Sequence, residues 1–268
     1  MPTYNNIQIA IQELCELQKP YESIINNSER LKELELLIIS ATSYADSISI
    51  LIKECKYDSV LPVGRAFLEL YPSIIYMLES FSNLSEFDNY FKKLVVDDMT
   101  QDVLIYKSIK EDITIPESIT KDADLASYIV RWENMINCYF PNRNSEIDKI
   151  EKEDSLIQII QSLEKSFKKQ YGKVCGKKNT FIGDAIIKNK QIISVLGRPY
   201  ESSYTIYRLL CSECHGNIGA LDTRVITNGA FVPNIGSKNN ATAVAGLIYW
   251  SLKDIATRFE QVLKQNKS

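Results

Sequence analysis

The chain has 268 residues, of which 45% are hydrophobic and 24% charged, so it can bury a substantial core but is short for two domains. The net charge of -3 argues against a general nucleic-acid coat protein. The N-terminus lacks a basic start, and no apolar run approaches the roughly 18 residues of a membrane span, so neither a signal peptide nor membrane attachment is expected. These features predict a cytoplasmic protein whose six cysteines are reduced thiols.

The first clear element is a helix over residues 28–56. Its apolar residues recur three and four positions apart, which is typical of a bundle helix with a broad buried face. The residues of this stripe are Leu31, Leu34, Ile38, Ala41, Ala45, Ile48, Ile52 and Cys55.

A second helix follows, with Asp58 or Ser59 as its N-cap and Pro62 in its first turn. Pro72 is expected to bend it, because proline removes a helical hydrogen bond and clashes with the preceding turn. The predicted buried stripe is Ala66, Phe67, Leu70, Ile74 and Leu78.

The middle of the chain reads as further helices, with breaks near Pro116 and Pro141. We interpret residues 83–154 as a helical insertion or lateral subdomain within a single domain that spans residues 1–268. Two shorter helices are predicted next, at 155–169 and 179–190, followed by a longer one at 199–216.

The C-terminal part contains an Asn-Gly pair among β-branched residues, which predicts a short β-ribbon near residues 222–233. Asn240 is expected to cap a final helix. Its apolar positions are Val244, Leu247, Ile248, Ile255, Phe259 and Val262. The whole pattern predicts an all-α helical bundle.

A C-x-x-C-H motif occupies Cys211, Cys214 and His215. Haem would need a sixth iron ligand and export, yet His215 is the only histidine. Zinc would need a fourth ligand, and a redox dithiol normally lies at a helix N-terminus, whereas these cysteines fall in a last helical turn. We interpret both cysteines as small buried hydrophobes and expect no metal and no cofactor.

Arg208 and His215 are seven residues apart, so on a helix both side chains lie on one face, about 10 Å apart along the axis. Tyr204 and Ser212 share that face. A histidine at this place could equally interact with the dipole of the helix C-terminus, and spacing alone does not decide between the two readings.

Lysines are concentrated between residues 165 and 198, where nine cations accompany one acid. Such a run is often a solvated face, but it also suits phosphate groups. The candidate RNA-binding residues are Lys168, Lys169, Lys173, Lys177 and Lys178.

The stretch "YTIYRLLCSECHG" resembles the R-x4-6-H motif of the HEPN superfamily, with Arg208 and His215 at the matching positions. The stretch "VGRAFLELYPSIIYML" resembles a second signature, an arginine and a glutamate four apart, of an uncharacterised bacterial HEPN-like family. Arg65, Glu69, Tyr207, Ser212 and His215 match that family.

The resemblance implies a metal-independent endoribonuclease of the toxin or anti-phage type, active as a homodimer on RNA. It assigns proton transfer to His215 and phosphate stabilisation to Arg208, with Arg65, Glu69 and the tyrosines supporting them. Leu209 departs from the pattern, since a polar residue often follows the arginine in the nucleases. The alternative is a catalytically silent module that binds nucleotides or a protein partner from a neighbouring gene.

Arg65 and Glu69 also have an ordinary interpretation, because an Arg and a Glu four apart on a helix commonly form a surface ion pair. Apolar neighbours such as Phe67 and Leu68 suggest burial instead. A buried pair could hold the Arg208 helix in place.

Overall fold

The computed structural model describes residues 4–111, 121–171, 224–227, 230–233 and 235–267. The described part is almost entirely helical, which confirms the predicted all-α bundle. Eight α-helices are found in these residues: α1 (Tyr4–Gln18), α2 (Glu22–Asn26), α3 (Glu29–Lys53), α4 (Tyr57–Ser80), α5 (Leu84–Glu111), α6 (Lys121–Tyr139), α7 (Lys152–Tyr171) and α8 (Ile235–Gln265). Short 3-10 helices span Lys19–Tyr21 and Pro141–Glu146.

The chain divides into two compact units. The first unit comprises Met1–Ser82 and Thr180–Ser268, and the second comprises Asn83–Asn179. The second unit begins where the predicted insertion begins, but it continues past residue 154, because α7 packs against α5 and α6. The assignment of residues 83–154 as an insertion within a single domain stays a prediction.

The first unit is built on α3, which packs against α1, α4 and α8. Ser28 caps α3, since its Oγ accepts a hydrogen bond of 3.3 Å from the Leu31 amide. The buried side of α3 follows the predicted stripe from Leu31 to Ile48. Cys55 does not belong to this stripe: it lies beyond the helix with a φ of 56° and is exposed.

Helix α4 differs from the prediction at its start. It begins at Tyr57 with Lys56 at the N-cap position, so neither Asp58 nor Ser59 is the cap. Pro62 lies inside the helix, and the helix continues through Pro72. The buried side comprises Phe67, Tyr71, Ile74, Ile75 and Leu78, whereas Ala66 and Leu70 are only half-buried.

Helix α8 begins at Ile235, so Asn240 lies within it and is not its cap. All six apolar positions predicted for this helix, from Val244 to Val262, are buried. A two-stranded antiparallel sheet precedes it, with β1 at Arg224–Thr227 and β2 at Ala230–Pro233. In their register Arg224 pairs with Pro233 and Thr227 with Ala230, and this confirms the predicted ribbon.

The second unit has its own aromatic core. Trp132 on α6 lies edge-on to Tyr106 of α5 at 5.1 Å between ring centroids, and both side chains are buried. Tyr90 of α5 meets Tyr171 of α7 at 5.9 Å, again in an edge arrangement. Edge-on contacts suit the charge distribution of aromatic rings, so the aromatic residues set how these helices pack.

Helix α3 is the one helix in the described ranges that is long and apolar enough to cross a membrane. This property rests on length and composition alone, and core helices of soluble proteins share it. One side of α3 is buried against α1, α4 and α8. The predicted helices at 179–190 and 199–216 lie outside the described residues.

Candidate functional site

Arg65 and Glu69 form the ion pair that the sequence predicted on α4. Arg65 Nε lies 2.9 Å from Glu69 Oε1. Their side chains are 26% and 37% exposed, so the pair lies at the edge of the core rather than within it. Phe67 and Leu68, between them in sequence, are buried and anchor this part of α4. A half-exposed pair of this kind can still present a cation to a ligand or to another helix.

The other residues of the predicted catalytic and supporting set lie outside the described part of the chain. They are Tyr204, Tyr207, Arg208, Ser212 and His215. The grouping of these five residues with Arg65 and Glu69 therefore stays a prediction. The same holds for Cys211 and Cys214, so the assignment of the C-x-x-C-H motif stays a prediction.

Two of the five predicted RNA-binding lysines lie on the last turn of α7, and both are exposed. Lys168 forms an ion pair with Glu164, one turn earlier. Lysines are favoured at this end of a helix because the macrodipole is negative there. Lys173, Lys177 and Lys178 lie outside the described residues, so the structure describes only the beginning of the predicted basic run.

A polar cluster that the sequence did not predict links α4 to α8. The hydroxyl of the buried Tyr71 donates a hydrogen bond of 3.1 Å to Asp254 Oδ2. Arg258 Nε donates one of 2.9 Å to Asp254 Oδ1, and its Nη1 pairs with Glu79. Only 16% of the Arg258 side chain is exposed. Burial lowers the pKa of Arg258, while the neighbouring Tyr71 opposes that shift.

This cluster holds a fixed cation between two carboxylates, an arrangement suited to positioning helices rather than to proton transfer. Asp254 and Arg258 are four residues apart, which was the only local signal available. Their partner Tyr71 is 183 positions away in the sequence. Nothing in the sequence indicated that α4 and α8 would be neighbours at this point.

The second unit contains its own acidic groups, of which Asp102 is buried. Arg131 Nη1 lies 2.9 Å from Asp102 Oδ2, and its Nη2 lies 2.5 Å from Asp98 Oδ2. Burial raises the pKa of Asp102, although Arg131 opposes this. Burial likewise raises the pKa of Asp97, whose carboxylate accepts a hydrogen bond of 2.7 Å from Lys93.

Among the described residues no three histidine, cysteine, aspartate or glutamate side chains are grouped so that they could hold an ion. Cys15, Cys55 and Cys138 are free thiols on the surface.

A protein-family model matches residues 34–231, which is most of the chain. The chain belongs to DUF5677, a family of unknown function. The DUF5677 match includes both the Arg65 and Glu69 pair and the Arg208 and His215 spacing, together with the whole second unit. It ends before α8, so Asp254 and Arg258 lie beyond it. No curated protein and no solved structure matches this chain.

Proposed function

We propose that this chain is a HEPN-like, metal-independent endoribonuclease of the cytoplasm, acting as a toxin-like or anti-phage defence effector and as a homodimer. Two observations support this proposal: the residue range of the family match covers both motifs, and the Arg65 and Glu69 pair of the second signature is formed on α4. The half-exposed position of this pair leaves it able to contact a neighbouring polar group.

In the proposed reaction, His215 moves the proton of a ribose 2′-hydroxyl or of the leaving oxygen. Arg208 stabilises the charge that develops on the phosphoryl oxygens. Imidazole suits the first role because it titrates near neutrality, and guanidinium suits the second because its N–H groups form a fork that matches phosphate oxygens. Lysines from Lys168 onward would draw RNA by charge.

The alternative function is a catalytically silent helical module that binds nucleotides or a protein encoded by a neighbouring gene. The cluster of Tyr71, Asp254, Arg258 and Glu79 favours it, because polar groups in this unit can serve packing alone. An Arg and a Glu four apart on a helix are equally compatible with a structural ion pair.

Substitution of the proposed catalytic pair tests the nuclease. We expect His215→Ala and Arg208→Ala each to reduce cleavage of a mixed-sequence RNA by at least about 100-fold, because each removes a transition-state role. EDTA should leave the wild-type rate unchanged. The matched control is Arg143→Ala, which removes an arginine that pairs with Glu146 in the second unit and should keep the wild-type rate.

Circular dichroism and the melting temperature should be unchanged in all three variants. The nuclease proposal is wrong if the wild type cleaves no RNA and His215→Ala mainly lowers the melting temperature. That result would favour the silent module.

A further inference from the structure

Helix α3 carries an exposed apolar face opposite its buried one. The side chains of Leu36, Ile39 and Ile50 are 60%, 52% and 51% exposed. The core residues of the same helix, such as Ile38 and Ala45, are fully buried. Scattered exposed leucines and isoleucines are common on protein surfaces, but these three lie along one side of a single helix.

Small residues lie between the apolar ones. Leu36, Ser40, Ser43, Ser47 and Ile50 alternate four and three positions apart, so they form one line along the helix. The hydroxyls of Ser40 and Ser47 donate hydrogen bonds of 3.0 Å to the carbonyls of Leu36 and Ser43. If another helix covered this line, the hydroxyls of Ser40 and Ser47 would therefore keep their hydrogen bonds. The short side chains also allow another helix to approach closely.

The line is symmetric about Ser43. Leu36 and Ile50 each lie seven residues from Ser43, and Lys32 and Glu54 each lie eleven residues from it. On a helix, positions seven and eleven residues apart lie on the same side, and Glu54 is the C-cap residue that directly follows α3. If two copies of α3 pack antiparallel about a two-fold axis at Ser43, Leu36 meets the partner's Ile50 and Lys32 meets the partner's Glu54.

The charges at the two ends match that arrangement. Lys32 and Glu54 are exposed, and in the described ranges neither has an ion-pair partner. An antiparallel contact pairs lysine with glutamate at both ends. A parallel one would place like charges together, so the end charges favour one orientation.

We propose that the exposed face of α3 is the docking surface for a second copy of this chain, in an antiparallel two-fold contact centred on Ser43. A two-fold interface uses the same patch on both subunits, which is what this self-complementary pattern provides. The inference adds a contact surface to the homodimer of the proposed function, but it uses none of the residues assigned to catalysis.

Analytical ultracentrifugation of the full chain over a concentration series tests the surface. We expect the wild type to dimerise, and Leu36→Glu combined with Ile50→Glu to raise the dissociation constant by at least about 100-fold, because charges would be buried against the partner. The control is Leu104→Glu, since Leu104 on α5 is similarly exposed at 56% and should leave the dissociation constant unchanged.

Charge reversal tests the orientation. Lys32→Glu alone and Glu54→Lys alone should each weaken the dimer several-fold, because each creates two like-charge contacts. The double variant K32E/E54K should restore wild-type affinity, since both ends again pair opposite charges. Rescue of this kind requires that position 32 face position 54 of the other copy, so a double variant weaker than either single one would overturn the proposed register.

Three outcomes would overturn the proposal. One is a wild type that stays monomeric up to about 0.1 mM, since a dimer weaker than that has little stability. Another is a dimer that the Leu36 and Ile50 substitutions do not weaken. The third is binding of a monomeric wild type to phosphatidylcholine vesicles that these substitutions abolish, because the face would then contact lipid. The two proposals are separated by measuring dimerisation and RNA cleavage on the same variants. Loss of the dimer in the Leu36 and Ile50 variant concerns this inference, whereas loss of cleavage in a variant that still dimerises concerns the nuclease proposal.

Discussion

Asp102 and Asp148, both in the second unit, experience opposite environments. Burial raises the pKa of Asp102. The backbone amides of Ile150 and Glu151 donate hydrogen bonds to Asp148 Oδ1, at 2.7 and 3.2 Å, and these lower the pKa of Asp148. The folded state therefore disfavours the ionised form of Asp102 and favours the ionised form of Asp148.

The two aspartates should make opposite contributions to the pH dependence of stability. With a raised native pKa, Asp102 binds its proton more tightly in the folded state, so its contribution falls as pH rises from about 4 through that pKa. With a lowered native pKa, Asp148 contributes stability above about pH 4 that is lost as pH falls through its native pKa.

Asparagine substitutions test these signs. Relative to the wild type, Asp102→Asn should gain stability as pH rises from about 4 through the native pKa of Asp102, whereas Asp148→Asn should lose it as pH rises from the native pKa of Asp148 to about 4. The measurement is the urea midpoint of each variant minus that of the wild type between about pH 3 and pH 7. Two differences that change with pH in the same direction would contradict the assigned causes.

The half-exposed position of Arg65 and Glu69 is the clearest residue-scale difference from the sequence reading. Apolar neighbours in sequence suggested burial, but on a helix adjacent residues point about 100° apart. Phe67 and Leu68 are buried while Arg65 and Glu69 remain partly exposed. Which side of α4 faces inward was decided by its contacts with α3 and α8.

At the scale of elements, the pairing of α4 with α8 depends on polar as well as apolar contacts. Arg258 of α8 bonds Asp254 on its own helix and Glu79 on α4. The hydroxyl of Tyr71 reaches Asp254 from α4. These bonds fix the rotation of α8 about its axis in a way that exchangeable aliphatic contacts do not.

Removing the cation tests this role. Arg258→Ala should lower the free energy of unfolding by about 1 to 2 kcal/mol, because it leaves two carboxylates without their shared partner, though both are partly exposed to water. The control is Lys264→Ala on the same helix, where the pair with Glu260 is largely exposed and its loss should cost much less. Equal losses in the two variants, measured by urea unfolding, would argue against the role of Arg258.

Helix boundaries were harder to predict than helix existence. The expected caps at Asp58, Ser59 and Asn240 were wrong, because α4 begins one residue after Lys56 and α8 begins at Ile235. Side-chain caps stabilise a helix end by only about 1 kcal/mol. Burial of the apolar residues beside each end, including Val60 and Ala241, can outweigh that preference.

At the scale of the whole molecule, charge is unevenly distributed. The net charge is -3, yet nine cations and one acid lie between residues 165 and 198. A positive region on an acidic protein attracts a polyanion locally while the rest repels it. The described start of that region is three exposed lysines on α7, which are Lys165, Lys168 and Lys169.

Reversal of the lysines tests the RNA side of the proposed function. Replacing Lys168, Lys169, Lys173, Lys177 and Lys178 by Glu should weaken RNA binding and flatten its dependence on salt, because fewer counterions are released per complex. Binding is measured by fluorescence anisotropy at several salt concentrations. The matched control reverses five exposed lysines of the first unit, Lys19, Lys53, Lys56, Lys264 and Lys267. A salt dependence that is steep in wild type and control but unchanged in the lysine variant would place RNA elsewhere.

The sequence by itself determined the fold class, the buried faces of α3 and α8, and the short ribbon at residues 224–233. These follow from local physics: apolar periodicity sets which side of a helix is buried, and Asn-Gly favours a tight turn. The packing of α7 against α5 and α6 and the cluster of Tyr71, Asp254 and Arg258 were decided by tertiary structure alone. Both depend on contacts between residues far apart in the chain. Such contacts produce no local periodic pattern from which the sequence could predict them.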